Sequence, residues 1–371
     1  MSARAAHRIG ILLALAGVVL LGLAGCDRKP RFVQDTSDST GTAVSDTFSS
    51  AVQAARSGWE AGGEGDGTAA SATARVVLAD LRAHRDRPIE LRARAFLDST
   101  GFGAEISGRG EVAIVNFFAL ADPDGGSWPY LFWRRGSDVR SQAVEGSGMR
   151  LLDVAVRTSP DSITQAAALF TRSAASGQQP LVIVWRRSAV ASQWSLHQML
   201  GPDSLGGVGT ARFVVPPGPD SIALETRTWT RTPMFDECPS CPHVFRSRSF
   251  RWTSAGFGRV AEQVDDTPYL AFVRFIQAMT VPDWDLARER VTEAHVLDDA
   301  RALGLTEKKG VWRVAPGTEE PGADMTFFRG AREAYRVRFA RGANGWAITS
   351  IESANRAIEE PPSRPFGSLL K

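Results

Sequence analysis

Lysine is nearly absent from this 371-residue chain, standing only at positions 29, 308, 309 and 371, so almost all of the 43 basic side chains are arginine. They alternate with the 41 acids and form no block, which gives no footprint for nucleic acid, a partner that needs a clustered basic patch. Cysteine occurs three times and leaves no second pair beside Cys238 and Cys241, as a structural zinc site of two complete ligand pairs would need. No apolar run beyond the first 25 residues reaches the about 20 residues of a spanning helix. Enzyme signatures are missing as well. There is no Gly-x-Ser-x-Gly elbow, no Gly-x-x-x-x-Gly-Lys phosphate loop, no Gly-x-Gly-x-x-Gly after a strand and no His-Glu-x-x-His. Catalysis loses weight on these grounds, and no cofactor is implied.

What the chain does have begins at its amino terminus. Arg4, His7 and Arg8 precede an apolar run, Ile9 to Leu23, that closes on Leu23-Ala24-Gly25-Cys26. A basic start, a short apolar core and small residues before a cut site make a secretory leader. The last four residues resemble the lipobox of bacterial lipoproteins. That resemblance implies removal of residues 1–25, a diacylglyceryl group on the Cys26 thiol and an acylated new amino terminus. It also implies a cell-envelope, membrane-anchored lipoprotein facing the periplasm, with the lipid on Cys26 as its contact with the membrane and envelope proteins as candidate partners. Asp27 matches a pattern that keeps some lipoproteins in the inner membrane, but this sorting rule differs between bacterial groups and leaves inner or outer membrane open. Arg4 and Arg8 are the only charged side chains lost with the leader, histidine aside, so 43 basic and 41 acidic groups become 41 and 41.

Composition then divides the rest. Residues 26–47 carry Ser, Thr, Asp and Gly with few large apolar groups, as a disordered tether does. Residues 48–105 are helical, with Val76, Val77, Leu78 and Leu81 at helical spacing and Pro88 opening a further helix; the arginine-rich outer face could meet anionic headgroups. Residues 106–264 show short β-prone runs separated by Gly, Pro, Asp and Ser. Three strings within them are alike: Tyr130-Leu-Phe-Trp-Arg-Arg135, Val182-Ile-Val-Trp-Arg-Arg187 and Phe245-Arg-Ser-Arg-Ser-Phe-Arg-Trp252. Pro160-Asp-Ser-Ile163 also recurs as Pro219-Asp-Ser-Ile222. Such spacing points to repeated sheet units, in a propeller or a sandwich. Ser159 as a cap, Pro160 in a first turn and Gly177 as a stop predict one helix over Ile163 to Arg172.

The other chemical motif is Asp236-Glu237-Cys238-Pro239-Ser240-Cys241-Pro242-His243. In an oxidising compartment a Cys238–Cys241 disulfide stapling a turn is the favoured reading. A redox pair would place the first cysteine at a helix start, and Pro242 with the strand-like Val244 to Trp252 oppose this. Zinc on Cys238, Cys241 and His243 with a carboxylate is the third reading.

From Asp265-Asp-Thr-Pro268 onward the pattern changes to helices, an apolar one from Tyr269 and others at Pro282–Ala287 and Ala294–Leu303, and then to strands ending in Asn344-Gly-Trp-Ala-Ile-Thr-Ser-Ile351. With Asp-Trp-Asp-Leu-Ala287 and Tyr335-Arg-Val-Arg-Phe339, residues 265–355 resemble the NTF2-like domains of envelope lipoproteins, which bend a sheet around a pocket; residues 356–371 form a tail. The resemblance makes His295, Tyr335 and Trp346 candidates for lining such a pocket, its small-molecule ligand unknown. The expected fold class is therefore α+β: a β-rich central antiparallel region plus a C-terminal helices-then-sheet NTF2-like domain. The expected function is non-catalytic binding or scaffolding at the membrane surface. A hydrolase or thiol-redox enzyme using the C-terminal pocket or Cys238 and Cys241 is the alternative.

Overall fold

The computed structural model describes residues 44–62, 66–159, 161–215, 222–315 and 323–354. The leader, Cys26, nearly all of the tether and the tail 356–371 lie outside them. Three helices come first: α1 (Val44–Ala61), α2 (Asp66–Ala83) and α3 (Ile89–Thr100). Sheet 1 follows as β1 (Ala104–Arg109), β2 (Val112–Ala119), β3 (Asp122–Arg135) and β4 (Asp138–Ala143). Sheet 2 is β5 (Arg150–Thr158), β6 (Thr164–Ala174), β7 (Gly177–Arg187) and β8 (Ser195–Leu200). After the short α4 (Pro202–Leu205), sheet 3 comprises β9 (Val208–Val214), β10 (Ala223–Trp229), β11 (Arg246–Thr253) and β12 (Gly256–Val264). Then come α5 (Pro268–Thr280), α6 (Trp284–Arg288) and α7 (His295–Ala302), and sheet 4: β13 (Trp312–Val314), β14 (Asp324–Arg329), β15 (Glu333–Gly342) and β16 (Gly345–Ser353). Each sheet is an antiparallel meander whose hydrogen-bonded neighbours are neighbours in sequence.

The recurring strings occupy one structural position. Tyr130–Arg135 lies in β3, Val182–Arg187 in β7 and Phe245–Trp252 runs into β11, each the third strand of its sheet. Their tryptophans Trp133, Trp185 and Trp252 are all buried. Ile163 and Ile222 stand immediately before the second strands β6 and β10.

Period-two alternation explains how the layers stack. In β2, Val112 and Ile114 enter a core shared with sheet 2, while Ala113, Val115 and Phe117 enter one shared with α2 and α3. In β6 and β7, Ala166, Ala168, Ile183 and Trp185 face sheet 1, and Ala167, Leu169, Val182 and Val184 face sheet 3. Each Val, Leu, Ile or Phe among them contributes about 1.5–3 kcal/mol when fully buried, and each alanine less. Sheet 2 is thus apolar on both faces. That is why the helix predicted over Ile163 to Arg172 is instead β6, paired with β5 on one side and β7 on the other. A strand buried on both faces loses its polar alternation, and a run of alanines then looks helical.

The expected fold class is corrected by the same topology. The described chain is mainly antiparallel sheet in four meanders, and the C-terminal segment is no NTF2-like cone. Sheet 4 has the simple order β13-β14-β15-β16, and α5 fills its inner face: Phe272 stacks on Phe327 at 3.7 Å and meets Trp312 edge to face at 5.2 Å. A bent sheet with a pocket would need that volume left open. Helix α5 starts where Thr267 Oγ1 accepts the Leu270 N–H at 3.1 Å, with Pro268 in the first turn. The described residues from Asp46 onward belong to one compact unit, and among the described residues no helix is long and apolar enough to cross a membrane.

Candidate functional site

The cysteine motif folds into a knot on the excursion between β10 and β11. Cys238 and Cys241 are disulfide-bonded, with sulfurs 2.08 Å apart, so neither offers a thiolate to zinc. Among the described residues no group of three or more His, Cys, Asp or Glu side chains could hold a metal ion. The knot's organising group is Glu237, a residue the sequence offered only as a flank. Its Oε1 accepts the Tyr269 hydroxyl at 2.7 Å and its Oε2 the Thr232 N–H at 3.0 Å. His243 stacks on Trp229 with centroids 3.5 Å apart and holds Nδ1 3.9 Å from Glu237 Oε2. Burial alone would push the Glu237 carboxyl up. The His243 ring, the Thr232 N–H and the Tyr269 hydroxyl outweigh it and hold the carboxyl below the ordinary range. Backbone bonds then tie the knot to sheet 4, Asp236 N–H to the Trp312 carbonyl at 2.7 Å and Trp312 N–H to the Met234 carbonyl at 2.8 Å. Glu237, His243 and Tyr269 are all buried, and the network joins the excursion to α5.

The C-terminal pocket candidates are dispersed. His295 opens α7 at the surface, where its Nδ1 stands 3.2 Å from Glu293. Trp346 sits at the β15–β16 hairpin, opposite Arg341, and only borders the core. Tyr335 is buried, accepting Arg329 Nη2 at 2.8 Å and donating to Glu333 Oε2 at 2.7 Å. Arg329 also bonds the Gly304 carbonyl at 2.8 Å and closes the turn after α7.

The chain's three tyrosines share one property. Burial pushes the Tyr130, Tyr269 and Tyr335 hydroxyls up, Tyr335 to about 12, with Glu237 reinforcing the rise at Tyr269 and Glu333 at Tyr335. An unfolded tyrosine ionises near pH 10 and the folded ones above it, so the native state holds more protons there and stability falls as pH rises past about 10. In a phenolate absorbance titration no tyrosine is expected to ionise normally, and all three phenolates should emerge with unfolding. A tyrosine ionising near pH 10 in the native protein would contradict this.

One open feature among the described residues is a groove of about 780 Å³ at the elbow between α2 and α3 and the β1–β2 turn. Arg85, Arg87, Arg109 and Arg134 line it, with Asp86, Glu90 and Glu111. Pro88 after Arg87 makes the elbow, since the residue before a proline leaves the helical region. Arg134 is fixed as a strut, its Nη atoms donating to the Arg85 and Arg87 carbonyls at 2.6 and 3.0 Å. Leu91 stands at the groove, 61% exposed.

No family model matches this chain, and no curated protein does. Solved structures with partial similarity include a GH32 beta-fructofuranosidase from Bombyx mori, at 10% identity and a TM-score of 0.24, covering 69% of this chain and 48% of the other. A variant of an alpha-L-arabinofuranosidase from Fusarium graminearum aligns at 9% identity and a TM-score of 0.23, covering 67% of this chain and 61% of that one. The chain therefore spans about half to three fifths of those proteins' lengths. Superposition this loose carries no argument about fold or activity.

Proposed function

We propose that the chain is a lipid-anchored cell-envelope protein whose body binds, without catalysis, at the membrane surface. The carrying observation is the arginine-lined groove with Leu91 exposed beside it. Arginine attracts anionic headgroups, and an exposed leucine beside a groove lined by four arginines and three carboxylates suits the headgroup boundary. The placement fits the expected anchor. The groove lies on the helical layer that directly follows the expected tether in the sequence. The rival enzyme reading needs converging groups at the C-terminal sheet or a reactive thiol. His295, Tyr335 and Trp346 lie in separate surroundings, and the cysteines are paired.

Two measurements test this. Mass spectrometry of the membrane fraction should find an amino-terminal peptide beginning at diacylated Cys26, and Cys26→Ser should abolish it. The Cys26→Ser form, cut before residue 26, should still co-sediment with vesicles containing phosphatidylglycerol and not with phosphatidylcholine alone. At about 1 kcal/mol per cation near the surface, Arg87→Glu with Arg109→Glu should weaken that binding at least tenfold. Equal binding to both vesicle types would remove the groove from the argument.

A further inference from the structure

A second cationic feature lies on the other face of sheet 1, where it meets sheet 2. Arg187 ends β7, half-buried, with its guanidinium carbon 5.3 Å from the Trp194 ring centroid and 5.9 Å from that of Trp133. The two indoles meet edge to face at 6.2 Å. Alternation places Arg135 on the same face of β3 as Trp133, and Arg140 is the direct partner of Trp133 across β3 and β4. The loop after Arg187 is locked onto β4. There the Trp194 N–H donates to Gln142 Oε1 at 2.9 Å and Gln142 Nε2 to the Trp194 carbonyl at 3.0 Å. Two of the strings that recur in the sequence are thus brought side by side, with their terminal arginines together.

These cations outnumber their counter-ions. Among the described residues neither Arg135 nor Arg187 has a carboxylate partner, and the one beside Arg140, Asp138 at 3.5 Å, is shared with Arg82. The Arg187 Nε and both indole N–H groups meet no acceptor. Burial, with Arg135 and Arg140 close by, depresses the Arg187 guanidinium below its ordinary value, as expected for a cation short of negative charge. A partly desolvated cation among like charges is costly unless something anionic completes it. The fork of an arginine matches a planar or tetrahedral oxyanion through paired hydrogen bonds, and contact with two indole rings holds that fork in place before a ligand arrives.

We propose that Arg187, with Arg135 and Arg140, forms a binding site for one oxyanion group, a phosphate or carboxylate carried by a ligand. The site gives the binding body a ligand class and does not depend on the lipid anchor or on the groove, which lies on the opposite face of sheet 1. The test is calorimetric titration of the full chain in non-ionic detergent with inorganic phosphate and with acetate. Saturable binding at one site is expected, weakened at least tenfold in Arg187→Gln, by less in Arg187→Lys, and unchanged in Arg251→Gln, an exposed arginine on sheet 3. Arg135→Gln, which leaves Arg187 in place, is also expected to weaken binding and keeps the test decisive if Arg187→Gln does not fold. Micelles doped with phosphatidylglycerol distinguish the sources: competition with phosphate identifies a lipid headgroup, and its absence a soluble ligand. No saturable binding of either anion, or variants at Arg187 and Arg135 that bind like the wild type, would overturn the site. Neither result touches the lipid on Cys26.

Discussion

Glu237→Ala will cost the fold about 3–5 kcal/mol, the loss typical of removing one partner from a buried charged network. The Tyr269 hydroxyl and the Thr232 N–H would be stranded without an acceptor in a dry site. Glu237→Gln should cost less, because its carbonyl still accepts one of the two donors. Chemical denaturation separates these variants, and equal midpoints for Glu237→Ala and the wild type would show that the knot is dispensable. Acid adds a second readout. Since folding holds the Glu237 carboxyl below its ordinary value, its contribution is fully present above the unfolded pKa and is lost as pH falls through the folded one. Stability of the wild type should therefore drop more steeply below about pH 4.5 than that of Glu237→Gln.

Arg329→Ala is the second large loss, again about 3–5 kcal/mol and on the order of 10 °C in melting temperature. This guanidinium is 2% exposed and bonds Glu333, Tyr335 and the Gly304 carbonyl, with Trp312 stacked nearby at 5.4 Å. Its removal leaves Glu333 without its main partner and the turn after α7 open. Arg329→Lys should recover little, because a single ammonium cannot reproduce a fork that reaches a carboxylate, a phenol and a carbonyl together. A melting temperature within a degree or two of wild type would refute the assignment.

How far the sequence carries is clearest strand by strand. Short runs such as Pro129–Arg135 and Leu181–Arg187 were legible because turn residues bound them, and their likeness marked the third strand of successive sheets. The stretch after Ser159 misled, because burial on both faces erased the alternation that distinguishes a strand. The NTF2-like expectation failed at the inner face of sheet 4: spacing places Phe272 on a helix, but only the fold shows that it stacks on Phe327 where a pocket would lie. Long-range pairings left no local trace. Arg187 meets Trp133 across 54 residues and Glu237 meets Tyr269 across 32. In the cysteine motif the thiols drew attention, while the neighbouring carboxylate also holds the segment, through Thr232 and Tyr269.

The ladder between Met234–Asp236 and Trp312 bears on how this chain can be divided. Composition suggests a seam at Asp265–Pro268, yet a fragment ending at Val264 would keep the cysteine knot and lose both the backbone partners of Met234 and Asp236 and the hydroxyl that Glu237 holds. The segment before the apparent seam is finished by residues after it. One excursion of sheet 3 is stitched to sheet 4 at Trp312 and to α5 at Tyr269, and a cut at the linker would leave ragged ends on both pieces.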